Sequence, residues 1–194
     1  MGEEESKTGS QAIRRIRLVL LYISVGLILF FARPTGISLV TGIPLIALGE
    51  AIRFWAAGHL LKTRELVTSG PYCYTRNPLY LGRFFIFTGL CIMAHLPFHG
   101  TPFLLFLGWG LFFGDYFRRK EQVEPARLRK THGEAFEHYF RSVPAFLPSL
   151  RPYPEATHRR WSADRLRRNR EQWMVVGLLL ITGFLIWRAF SLHP

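Results

Sequence analysis

The chain has 194 residues, 49% of them hydrophobic and 17 of them Phe, with a positive mean hydropathy. Such a composition points to one small membrane protein and away from a water-soluble globule. The formal charge of +12 does not indicate nucleic-acid binding, because the basic residues flank apolar runs and no recognition motif accompanies them.

In chain order, a polar and acidic stretch over residues 1–11 precedes uncharged runs at 18–32, 34–49, 84–94, 101–114 and 172–187. No small-residue cleavage site follows the first run, which reads as a retained span and not a removed signal peptide. Extended by flanking groups such as Arg17, Arg33 and Arg188, each run approaches the ~20 residues a spanning helix needs. The expected fold is all-α: an integral membrane helical bundle of about five transmembrane helices. The third and fourth spans are separated by residues 95–100, with Pro97 and Gly100, and read as a tight helical hairpin. The two cysteines, Cys73 and Cys91, fall on a loop and in an apolar run, so neither a disulfide framework nor a metal cluster is expected.

Basic residues set the expected orientation. Arg14, Arg15 and Arg17 precede the first span, five basic residues lie between Arg53 and Arg83, and fourteen between Arg118 and Arg170. This asymmetry puts the N-terminus and both of the longer polar loops in the cytoplasm and the C-terminus on the opposite side. Near that face four ionisable residues enter or border the spans: Glu50, Arg53, Arg83 and Asp115. They read either as two anchoring ion pairs, Glu50 with Arg53 and Arg83 with Asp115, or as members of a polar site.

Two polar stretches carry the chemistry. In residues 69–82 the chain turns at Gly70-Pro71, continues through Tyr72 and Tyr74, and starts a helix near Pro78, a residue favoured in the first helical turn. A helix start there offers free N–H groups to an anion, Arg76 can grip a carboxylate bidentately, and Asn77 both donates and accepts. Tyr80 and Gly82 would supply an aromatic wall and a close approach. Without further information the same residues describe an ordinary re-entry loop with interfacial tyrosines. The second stretch, residues 124–148, has Glu124 three residues after Glu121, then Leu128, with Gly133 as a helix stop before a second amphipathic helix carrying Glu137, Tyr139 and Arg141. Its acidic residues among so many arginines also suit solvated surface pairs.

Taken together, Gly70-Pro71-Tyr72-x-Tyr74-x-Arg76-Asn77-Pro78-x-Tyr80-x-Gly82, a helical hairpin, then Glu124-x-x-x-Leu128 through Gly133-Glu134, Tyr139-x-Arg141-x-Val143-Pro144 and Pro148 resemble the isoprenylcysteine carboxyl methyltransferase and phospholipid methyltransferase-like superfamily. The resemblance covers about residues 50–150. It divides the chain into an N-terminal tail and first transmembrane region (1–49), a methyltransferase-like core (50–150), and a basic interfacial segment with a last transmembrane helix (151–194).

The resemblance implies a multi-span fold that binds S-adenosylmethionine between the inner ends of the hairpin helices and the following cytoplasmic segment, without a Rossmann domain. It implies cofactor contacts by Tyr74, Arg76, Asn77, Pro78, Tyr80, Gly82, Glu124 and Tyr139, with Glu124, Arg141 and Glu121 as candidate catalytic groups. The family's Arg-His-Pro element falls on Arg76, Asn77 and Pro78, so Asn77 stands where His is usual. Its Glu-Glu pair falls on Glu124 and Pro125, and Phe136 and Ala145 stand where Tyr and Arg are common.

Methyl transfer asks mainly for in-line alignment and exclusion of water. The expected acceptor is a lipid or isoprenoid-type molecule entering sideways from the bilayer. A carboxylate is slightly favoured over an amine headgroup, which would need Glu121 or Glu124 as a base. A nicotinamide-dependent reductase of the sterol-reductase type and a non-catalytic membrane scaffold are the alternatives. Beyond this core, Arg159, Arg160, Arg165, Arg167, Arg168 and Arg170 surround Trp161, Leu166 and Trp173. That basic amphipathic stretch is expected to lie on the anionic inner leaflet, or merely to set topology.

Overall fold

The computed structural model describes residues 16, 19, 22–61, 66–116 and 124–192, with the side chains of 115–116 and 124–132 outside the description. Every regular element among them is helical. Helix α1 covers Tyr22–Phe31, followed by α2 (Gly36–His59), a 3₁₀ turn (Gly70–Cys73), α3 (Pro78–Ala94), α4 (Gly100–Tyr116), α5 (Glu124–Ser142), α6 (Ala163–Arg168) and α7 (Glu171–Leu192).

Local chemistry explains the starts and stops. Thr35 caps α2 reciprocally: its Oγ1 accepts from the Ser38 N–H at 3.2 Å, and Ser38 Oγ accepts from the Thr35 N–H at 2.9 Å. Asn77 stands at the N-cap of α3 with Pro78 in the first turn, where the absent proline N–H removes no helical bond. That helix ends at His95 in the left-handed region, and α4 begins after a short connection in which the Leu96 N–H donates to Thr101 Oγ1 at 2.8 Å. The expected hairpin is therefore present. Gly133, at φ +53°, breaks α5 into two helical pieces, the stop expected at that residue.

Helices α2 and α3 run antiparallel along a seam of glycines spaced seven apart. A Cβ on Gly42 would lie 2.7 Å from the Gly89 carbonyl oxygen, and one on Gly89 would lie 2.7 Å from the Gly42 oxygen. With no side chains between them, the two backbones approach to a distance that only small residues permit. Ala32, Ile46, Ile86, Met93, Ala94, Leu178 and Leu185 form the buried core, so α2, α3, α7 and the chain just after α1 share one interior. At one end Arg188 holds the carbonyls of Phe30 and Ala32, both at 2.6 Å. At the other, Arg53 of α2 meets Glu171 of α7. This second end also gathers the 66–77 loop and the 143–162 chain.

Helices α2 and α7 are long and apolar enough to cross a membrane, with mean hydropathies of 1.6 and 2.0, whereas α1, α3 and α4 are shorter apolar helices. Large apolar side chains such as Val40, Phe106, Leu111, Leu180 and Phe190 face outward. An apolar exterior around a helical interior matches an α-helical membrane protein.

Candidate functional site

The site grows from the loop that leads into α3. Gly70 takes φ +61°, and a Cβ there would collide with the His59 ring at 2.5 Å, so this turn requires glycine. From Pro71 the chain winds one 3₁₀ turn, with the Tyr74 and Thr75 N–H groups donating to the Pro71 carbonyl. This rotation turns the backbone of residues 72–76 toward the segment that follows α5.

That segment is bonded to the loop along its length. The Arg76 N–H donates to the Pro144 carbonyl at 2.9 Å, the Ser149 N–H to the Tyr74 carbonyl at 2.8 Å, and the Tyr153 N–H to the Cys73 carbonyl at 2.9 Å. Side chains add to the ladder: Thr75 Oγ1 donates to the Phe146 carbonyl at 3.0 Å and Asn77 Nδ2 to the Ala145 carbonyl at 3.0 Å. Tyr139, only 4% exposed, donates its hydroxyl to the Tyr72 carbonyl at 2.7 Å. The two polar stretches singled out in the sequence thus form one folded unit, with the 143–153 chain acting as a strap across the start of α3.

Burial pushes the Tyr72 and Tyr139 hydroxyls well above the usual phenol range, and it raises the Cys73 thiol as well. All three groups stay protonated at neutral pH, so Tyr139 remains a donor to its carbonyl and Cys73 donates to the Gly70 carbonyl at 2.9 Å.

Beside the strap lies a basin of aromatic rings. Phe146, brought in by the strap, packs edge-on to Phe84 at 5.6 Å and to Phe113 at 5.4 Å, and Tyr80 lies 6.0 Å from Phe112. At its edge the Arg76 guanidinium stacks on the Phe140 ring, 3.6 Å from the centroid. The donor set suits a small zwitterion with a positive sulfur: a fixed guanidinium for a carboxylate, an amide at Asn77, and π faces for a sulfonium or a flat heterocycle. Among the described residues no group of His, Cys, Asp and Glu could hold a metal ion.

The remaining predicted residues are distributed unevenly. Tyr74 is half-buried against Trp55, with ring centroids 6.3 Å apart. Pro78 is fully buried. The open side of Gly82 faces α2, where a Cβ would meet Arg53 Cγ and the Gly49 oxygen, so this glycine serves the helix seam. The Arg141 side chain is 82% exposed and 3.9 Å from Glu137. Glu121 lies outside the described residues, and of Glu124 only the backbone, at the start of α5, is described.

The expected Glu50–Arg53 pair is present at 4.0 Å, but a nearer acid joins it. Arg53, 2% exposed, places Nη2 2.5 Å from Glu171 Oε2 at the start of α7, while Glu50 is no closer than 4.0 Å. Arg83 lies over the Tyr80 ring at 5.4 Å, and the side chain of Asp115 falls outside the described ones. Glu171, 118 residues from Arg53, carried no signal in the sequence beyond being an acid at the head of an apolar run. Phe140 and Phe146 were equally inconspicuous among so many phenylalanines. The basic 158–170 stretch also has a structural task. Trp161, Arg165 and Asn169 donate to the Phe54, Gly58 and Ala57 carbonyls, respectively, capping the C-terminal end of α2 with donors and positive charge.

No family model and no solved structure matches the chain. Among curated proteins it is similar to human protein-S-isoprenylcysteine O-methyltransferase, 31% identical over 124 residues that cover 58% of this chain and 42% of the relative. It is also similar to the cobalt-zinc-cadmium resistance protein CzcN of Cupriavidus metallidurans, 28% identical over 144 residues, 71% of this chain and 63% of the relative. Methanethiol S-methyltransferase of Crocosphaera subtropica is 34% identical over 81 residues, 41% of this chain and 28% of the relative. The chain spans about two fifths of the length of the mammalian relatives it matches.

Proposed function

Because the chain belongs to the isoprenylcysteine carboxyl methyltransferase-like superfamily, we propose that it transfers a methyl group from S-adenosylmethionine to a lipid or isoprenoid-type acceptor held in the membrane. The observation that carries the reading is the bonded junction of the Arg76 loop with the 143–153 strap, beside the aromatic basin of Tyr80, Phe84, Phe112, Phe113 and Phe146. The five apolar runs support five spans, and the distribution of Lys and Arg supports this end on the cytoplasmic leaflet.

In this reading Arg76, fixed by Phe140, takes the cofactor carboxylate, and Asn77 orients it at the start of α3. Tyr80 and Phe146 wall the pocket, Tyr74, Pro78 and Tyr139 hold the loop in shape, and Glu124 takes a cationic amino group or a hydroxyl. When bound, the cofactor supplies an electrophilic methyl on a sulfonium. The basin's rings exclude water and leave no hydration shell to stabilise the sulfonium, so its charge is lost readily as the methyl leaves. Arg141 at the exposed rim would steer an anionic acceptor, and a carboxylate acceptor needs no base. An amine acceptor would require Glu121 or Glu124 to remove a proton.

The test is binding of S-adenosylmethionine against NADPH to the detergent-purified protein. Loss of one charge-assisted contact costs about 1.5–3 kcal/mol, so Arg76→Ala and Glu124→Ala should each weaken S-adenosylmethionine binding by roughly 10- to 150-fold. Preferential binding of NADPH, or unchanged binding by both variants, removes the reading.

A further inference from the structure

A groove of about 600 Å³ opens between α2 and α7, lined by Ala47, Glu50, Ala51, Phe54, Trp55, Trp161 and Val175. Positions 47, 50, 51 and 54 form one stripe of α2, separate from the stripe that carries the glycine seam. The wall is apolar except for Glu50. Trp161 stacks on Phe54 with centroids 5.3 Å apart and closes one end. Toward the other end, Ala47 and Val175 line the sides on the two helices that are long and apolar enough to cross a membrane.

Glu50 is the anomaly in this groove. Its two carboxylate oxygens are shielded from solvent, yet neither has a hydrogen-bond partner among the described residues. Among the described residues the nearest cation, Arg53, approaches only to 4.0 Å at Nε and commits Nη2 to Glu171 at 2.5 Å. Two carboxylates therefore share one guanidinium, and a negative charge is left over. Buried polar atoms are nearly always satisfied, so an orphaned carboxylate on the wall of an opening marks a place where a ligand completes the bonding.

We propose that this groove binds an amphiphile with a protonated amine head. A rotation of the Glu50 side chain turns its carboxylate into the groove, where the ammonium donates to it beside the stacked Phe54 and Trp161 rings, and the aliphatic chain lies along Ala47, Ala51 and Val175. Charge complementarity selects the occupant. The excess carboxylate repels a fatty acid, and the apolar walls leave nothing to bind a fully hydrophilic amine. The site is separate from the Arg76 basin, and the inference does not rest on methyl transfer.

Trp55 and Trp161 in the wall supply the readout. The full chain in maltoside detergent is titrated with an ω-bromo fatty amine, and in parallel with the ω-bromo acid and ω-bromo alcohol of equal chain length, following tryptophan quenching near pH 7. The expected result is saturable quenching by the amine at a concentration about tenfold or more below those of the acid and the alcohol. Glu50→Gln should abolish that preference, and Trp161→Phe should reduce the saturable amplitude while leaving the preference intact. Equal half-saturation by amine and acid in the unaltered protein overturns the proposal, as does an alcohol that matches the amine or a preference that survives Glu50→Gln. The comparison of the three probes needs no variant, so a folding defect in Glu50→Gln leaves it decisive. Titration of S-adenosylmethionine on the same samples reports on the Arg76 basin alone, and its failure leaves the amine result standing.

Discussion

Gly49 of α2 and Gly82 of α3 face each other so closely that a Cβ on Gly49 would lie 2.5 Å from the Gly82 oxygen, and one on Gly82 would lie 2.6 Å from the Gly49 oxygen. The relationship is reciprocal and backbone-to-backbone, so no rotamer change relieves an added methyl. It fixes the first turns of α3, and with them Arg76 and Tyr80, against α2.

Gly49→Ala and Gly82→Ala should each destabilise the protein by about 1–3 kcal/mol, as overpacked interiors do. A Cβ on Gly110 would meet nothing within 4 Å, and Gly110→Ala should be neutral or stabilise by about 0.5–1 kcal/mol through the unfolded chain. Unfolding in detergent gives the comparison. Seam variants as stable as Gly110→Ala would show that the helices do not pack this way.

Arg53, Glu171 and Glu50 predict an ordering. Glu171→Leu leaves Arg53 with Glu50 at 4.0 Å, whereas Arg53→Met strands both carboxylates. Removing one partner of a buried pair costs about 3–5 kcal/mol, so Arg53→Met should be the more damaging change. The opposite order in detergent unfolding would mean that Glu50 does not share the guanidinium.

Tyr139→Phe removes the hydroxyl that reaches the buried Tyr72 carbonyl at 2.7 Å. An orphaned buried acceptor costs about 1–3 kcal/mol, and the strap should loosen. Measured together, a lowered midpoint of unfolding and weaker S-adenosylmethionine binding are expected. Normal stability would show that this bond does not hold the loop to the strap.

Cys73 gives a pH signature. Burial raises its thiol pKa above the ordinary value, so the neutral form belongs to the fold. The stability contributed by that form is complete below the unfolded thiol's pKa, ordinarily about 8.5, and is lost as pH rises through the higher folded value. Maleimide labelling of a Cys91→Ala variant, in which Cys73 is the single thiol, should accelerate at a higher pH in the folded protein than in the urea-unfolded one. Coincident profiles would contradict a shielded thiol.

Much of the architecture was readable residue by residue. The apolar runs became helices, Asn77-Pro78 started α3, residues 95–99 turned the hairpin, and Gly133 broke α5. Helix α2 runs beyond the uncharged residues 34–49 to His59. The charged Glu50 and Arg53 look like a boundary in sequence, yet they are accommodated by Glu171 and by the close α2–α3 contact.

What the sequence determined alone was local: where helices start and stop, which surfaces are apolar, and where charge collects. Each depends on a residue and its near neighbours. Which partner each polar group finds was decided by tertiary structure. Arg53 bonds Glu171 from 118 positions away, Arg76 lies on Phe140, and the basic tail caps α2. The periodicity of a helix tells which face is buried but not what it is buried against; that follows only when the helices pack, because hydrogen bonds and ion pairs act over a few ångströms of space whatever their separation along the chain.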